Sequence, residues 1–119
     1  MSSPALLVGI GGVFGALARH LVGSQIETEN ADTFVVNVLG SFALGILTTA
    51  SLSPSLGFVF ATGFCGAFTT FSSFAFETVR LYERGKQRRA LGNAVLTLVA
   101  ALVGVTIGAV VGSLLTNVA

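Results

Sequence analysis

Four apolar runs, residues 5–23, 34–52, 57–76 and 91–115, take up most of this chain. Each reaches the ~20 residues that a helix needs to cross the hydrocarbon core of a bilayer. In such a core every backbone N–H and C=O must find its partner within the protein, which leaves helices as the solution for runs of this length. The expected fold is therefore an all-α membrane protein, residues 1–119 forming a single domain of four transmembrane helices. Composition agrees, because 53% apolar against 9% charged residues leaves too little charge to coat a compact water-soluble body. The first run lacks a basic start and is followed by three more, so it reads as a span and not as a signal peptide. A net charge of +1 gives no footprint for nucleic acid. The single cysteine, Cys65, excludes an internal disulfide and sits at membrane depth as a small apolar residue.

The basic residues set an orientation. Loops between four spans alternate sides, so segments 24–33 and 77–90 share one face of the membrane. Arg80, Arg84, Lys86, Arg88 and Arg89 lie in the second of these, Arg19 is one turn from the end of the first span, and the opposite loop, 51–56, has no Lys or Arg. Under the positive-inside rule the basic face is cytoplasmic and both termini are outside. Glu27, Glu29 and Asp32 lower the net charge of that face but contribute little to orientation. One fixed orientation follows.

Polar chemistry is concentrated in the third run. Seven of the ten phenylalanines lie between Phe58 and Phe76, and Phe64, Phe68, Phe71 and Phe74 recur at helical spacing among Gly63, Gly66, Thr69, Thr70, Ser72 and Ser73. Such a row is either a packing stripe or a set of ring edges, electropositive enough to face an anion without trapping it. Gly63 and Gly66 weaken the helix just before Thr69-Thr70, and a break there would bare carbonyl oxygens. Bare backbone is tolerated at membrane depth only where it is buried in protein, lines a cavity or binds an ion. Carbonyl and hydroxyl oxygens suit a hard cation such as Na⁺.

The second run places Thr33, Asn37 and Ser41 on one face, as interhelical glue or as a polar track. Asn93 and Thr97 in the fourth run either extend that track or cross-link helices. Gly11-x-x-x-Gly15 and Gly104-x-x-x-Gly108-x-x-x-Gly112 are close-packing ridges. Arg19 either snorkels to the interface or serves a site. His20 has no second metal ligand at suitable spacing.

Taken together, Gly11-Gly12-x-x-Gly15-Ala16-x-x-Arg19, Val36-Asn37-x-x-Gly40-Ser41-Phe42 and Gly63-Phe64-Cys65-Gly66-Ala67-Phe68-Thr69-Thr70-Phe71-Ser72-Ser73-Phe74 resemble the Fluc/CrcB family of fluoride channels. The likeness covers essentially the whole chain. It implies an antiparallel dimer with two narrow fluoride pores and a central structural Na⁺ where the third spans of both subunits break. By that resemblance Phe71 and Phe74 are the rings whose edges face fluoride, and Asn37 is the pore amide. The hydroxyls of Thr33, Ser41 and Thr97 would line the same path. Gly66 and Thr69 would hold Na⁺ through their backbone carbonyls. Arg19 resembles the first-span arginine, and Glu77 the acidic residue ending the third span. Ala67 stands where the family often has a second glycine, Ser73 where threonine is common, and Asn93 where tyrosine is often found.

The resemblance implies passive export of cytoplasmic fluoride across the plasma membrane. An antiparallel dimer needs one subunit of each topology, so a chain of fixed orientation is expected to pair with a distinct, oppositely biased paralogue, otherwise with itself. A small proton-coupled multidrug-type exporter is the first alternative, but its chemistry requires a carboxylate within the bilayer, and only Glu77 comes near. A non-transporting membrane scaffold is the second. An enzyme is not expected, since the chain has no nucleophile and base pair, metal-ligand cluster or phosphate loop.

Overall fold

A computed structural model describes residues 3–28 and 30–118. Glu29, counted above with the acidic residues of the first loop, lies outside the described residues. Helices start where side-chain oxygens can satisfy their first N–H groups. The Ser3 hydroxyl accepts from the Leu6 N–H at 3.1 Å and opens α1, Pro4–Gln25, with proline in the first turn. Asn30, at a left-handed φ of 68°, turns the chain into α2, Ala31–Thr49. Ser53 and Pro54 repeat the serine-proline start for the third span. That span comprises α3 (Pro54–Leu56), a π-helical stretch (Gly57–Cys65), α4 (Gly66–Phe68) and, after an interruption, α5 (Phe71–Glu83). The last helix is α6, Gln87–Val118.

The described residues thus form four apolar helical spans, Pro4–Gln25, Ala31–Thr49, Pro54–Glu83 and Gln87–Asn117, with no strand among them. The third helix continues past Phe76 to Glu83, and the fourth begins at Gln87 and not at Leu91. The expected loop 77–90 therefore shrinks to a turn around Gly85, whose φ of 80° suits glycine. Hydropathy reports how deep a residue lies, whereas a helix continues into the polar interface as long as its backbone bonds close.

Glycines create the two main seams. Without a hydrophobic force between helices in lipid, close backbone approach and van der Waals contact must hold them together. A Cβ on Gly11 would overlap the Val59 carbonyl, and one on Gly15 the Phe64 carbonyl, so α1 lies directly on the π-helical stretch. Gly108 and Gly112 press likewise on Phe42 and Ile46 of α2, and Gly45 of α2 presses on α6 at Val105. Gly63 belongs to the first seam. It sits within continuous helix against Val8 and Gly11, so its smallness serves packing and not the interruption expected of it. Thr49 and Thr116 fasten the far end of the second seam, Thr49 Oγ1 donating to the Ala109 carbonyl at 3.0 Å and Thr116 Oγ1 to the Thr49 carbonyl at 3.1 Å.

The molecule is apolar outside. Among the described residues the buried hydrophobic side chains are Val36, Cys65, Phe68 and Ala90, while Leu6, Ile10, Val13, Phe14, Leu17 and Leu21 of α1 all point outward. Buried alongside them are three hydroxyls, Thr33, Thr70 and Thr97.

Candidate functional site

The third span breaks at two adjacent threonines. Thr69 (φ −87°, ψ 164°) and Thr70 (φ −151°, ψ 119°) are extended, so the i→i−4 ladder stops there. The Thr69 N–H and hydroxyl both donate to the Cys65 carbonyl, at 3.1 and 2.9 Å. The next N–H, which in a continuous helix would reach Gly66, goes instead to Asn37 Oδ1 at 2.7 Å. Asn37 Nδ2 returns a bond to the Thr70 carbonyl at 3.0 Å, so the amide grips both backbone groups of one residue. The Thr69 methyl is seated where a Cβ on Gly40 of α2 would lie. Thr70 Oγ1 accepts from the Ser73 N–H at 3.1 Å and caps α5.

Beyond the break, side chains from the other three spans hold α5. Arg19 Nη2 donates to Ser73 Oγ at 2.9 Å, and Thr33 Oγ1 donates to Glu77 Oε2 at 2.6 Å. Asn93 Nδ2 donates to Thr78 Oγ1 at 2.9 Å, and that hydroxyl donates to the Phe74 carbonyl at 2.8 Å. No buried side-chain nitrogen or oxygen among the described residues lacks a partner.

Next to the break lies a groove of about 640 Å³. Its lining brings together Asn37, Ser41, Gly66, Thr69, Phe71, Phe74 and Thr97. Thr33 is not part of it and lies with Arg19 and Asp32 around a separate cavity. Glu77 borders a third, with Arg80 and Arg84. The phenylalanine row divides at the break. Phe64 and Phe68 stack with centroids 5.8 Å apart, Phe68 being buried, and serve packing. Phe71 and Phe74, also 5.8 Å apart but tilted by 50°, face the groove, and Phe71 is 79% exposed.

Two kinds of partial charge meet there. The carbonyl end of α4 is negative and the N–H end of α5 positive, as helix termini are. Gly66 is exposed, and a Cβ on it would meet nothing within 4 Å, so its backbone is open to approach. Among the described residues no group of three or more His, Cys, Asp or Glu side chains could hold a metal. The oxygens at the break are carbonyls and hydroxyls, a set suited to a hard cation.

Thr70, Ser73 and Thr78 were not singled out as site residues from sequence, yet they receive the bonds from Asn37, Arg19 and Asn93. The pattern Thr70-x-x-Ser73 before a run of phenylalanines carried a usable signal, a hydroxyl placed to cap a new helix inside an apolar run.

Four apolar spans, with a groove beside a break in the third, define a multi-pass membrane protein with an interrupted span. The profile of the family described as "CrcB-like protein, Camphor Resistance (CrcB)" matches residues 6–109, and the chain belongs to that family. It is 50% identical over 111 residues to "Fluoride-specific ion channel FluC 2" of Natronomonas pharaonis, covering 93% of this chain and 96% of the relative. It is likewise 50% identical over 103 residues to the FluC 2 of Haloarcula marismortui, covering 85% and 87% of the two chains. A protein of Halobacterium salinarum bearing the name "Fluoride-specific ion channel FluC 1" is 42% identical, with the same coverage of 85% and 87%.

Proposed function

We propose that this protein is a subunit of a fluoride-specific channel, not an enzyme, through which cytoplasmic fluoride leaves the cell down its electrochemical gradient. The observation that carries the reading is the groove in which two phenyl rings, Phe71 and Phe74, lie with Ser41, Thr97 and the Asn37 amide beside the N–H end of α5. Stripping water from a small ion costs tens of kcal/mol by a Born estimate, so replacement contacts must come in steps. Hydroxyl donors, one amide N–H and ring edges supply weak contacts, and weak contacts let the ion leave again. An inside-negative potential adds about 2.3 kcal/mol per 100 mV for each outward anion, so no pump is needed.

Gly66 has an exposed backbone whose helical partner, the Thr70 N–H, is taken by Asn37, and open backbone at membrane depth calls for cover, which supports assembly with a second subunit across this face. The Gly66 and Thr69 carbonyls fit Na⁺ by chemistry, but two oxygens are fewer than a hard cation takes. An oppositely oriented subunit presenting its own pair at the same point would complete the shell. Bound there, Na⁺ supplies positive charge and satisfies the broken backbone. Arg80, Arg84, Lys86, Arg88 and Arg89 all gather at one end of the molecule, the end that also holds Arg19. That bias supports a cytoplasmic placement of this end in the plasma membrane, termini outside, and a partner of reversed bias. The numbered names FluC 1 and FluC 2 among relatives are compatible with such paired chains.

Fluoride efflux from liposomes decides the matter. Fast, voltage-driven efflux is expected from this chain combined with a CrcB-family partner of reversed basic bias, and little from this chain alone. Efflux that requires a proton gradient would point to an exchanger, and none in any combination to a scaffold. Replacing Na⁺ by a bulky organic cation is expected to loosen the assembly, read by its elution in detergent.

A further inference from the structure

We infer that Asn37 is a positioning residue, the clasp that fixes the broken backbone and thereby sets where Phe71 and Phe74 stand. Asparagine offers two N–H donors and one carbonyl oxygen. Here the oxygen and one N–H are both committed to Thr70, at 2.7 and 3.0 Å. Thr70 occupies the only junction between α4 and α5 besides Thr69, and its hydroxyl caps α5. Phe71 follows it directly and Phe74 comes one turn later. The same helix seats Thr69 over Gly40, so α2 grips both residues of the break.

Turning the Asn37 amide toward an ion would break both bonds at once and leave the Thr70 N–H and C=O without their partner. The clasp therefore stays closed while ions pass, and only the second N–H remains to meet them. In an apolar replacement α5 would lose its register against α2. The rings would then drift even though neither was changed.

The efflux arm of the test rests on the channel reading, whereas the backbone arm does not. Exchange of the Thr70 N–H would be followed by NMR in the full chain in lipid, combined with its CrcB-family partner of reversed basic bias, as wild type, Asn37→Leu and Asn37→Ser, with fluoride efflux measured on the same two-subunit assemblies. In the wild type a slowly exchanging Thr70 N–H is expected, with or without fluoride. Thr70 N–H exchange as fast as an unbonded amide would overturn the clasp without any variant. In both variants exchange at Thr70 should rise about tenfold or more, as loss of two hydrogen bonds implies, while α2 and α6 amides stay unchanged and efflux falls. Lost efflux with Thr70 protection unchanged would make Asn37 an ion contact alone and sink the inference. So would lost protection with efflux intact. Wild type lacking efflux but retaining Thr70 protection keeps the clasp and removes the channel reading.

Discussion

The two halves of the third span are held in place by opposite means. Before the break, the segment 54–68 lies in backbone contact with α1 through Gly11, Gly15 and Gly63, and close packing alone secures it. After the break, α5 has no buried residue and is tied by individual side-chain bonds from Arg19, Thr33, Asn37 and Asn93. A seam of glycines fixes a helix over its length but presents nothing to a passing ion. Point ties leave one side of α5 bare, and that bare side carries Phe71. Rigid support on one half thus lets the other half present side chains to the groove.

The largest effect should come from breaking the seams. Gly11→Leu or Gly108→Leu drives a side chain into a backbone carbonyl. Overpacking of this kind costs about 3 kcal/mol or more, so no monodisperse protein should elute in detergent. Phe71→Ile and Phe74→Ile should leave elution unchanged and lower fluoride efflux at least about tenfold, equivalent to ~1.4 kcal/mol of barrier, because aliphatic groups have no electropositive edge. Unchanged efflux in either would remove that ring from the path.

Smaller effects should follow from single ties to α5. Thr33→Val removes the donor from Glu77 and should lower thermal stability by about 1–2 kcal/mol, with a several-fold loss of efflux. Asn93→Ala should be mildest, about 0.6 kcal/mol, since Thr78 still bonds the Phe74 carbonyl. If Asn93→Ala proved as severe as Gly108→Leu, the contrast between a packed half and a tied half would fail.

Much of the fold was legible. Length and apolarity gave the four spans, and Gly104, Gly108 and Gly112 announced a seam at helical spacing. Gly63 misled because glycine carries two meanings in a membrane helix, weakness and closeness, and only a neighbour distinguishes them. The phenylalanine row misled in part, since Phe64 and Phe68 share a packing face while Phe71 and Phe74 are re-aimed by two extended residues. Thr33, placed beside Asn37 by helical spacing, is drawn instead to Glu77, a partner 44 positions away.

The amino-acid order alone determined the solvent this chain lives in, its helical content, its number of spans and its charge asymmetry, because these depend on side-chain transfer and backbone satisfaction summed over local stretches. Tertiary structure decided which threonine is gripped, which glycine is crowded and which rings face the groove. Those outcomes depend on single contacts between residues distant in the chain, where a shift of one turn exchanges one partner for another.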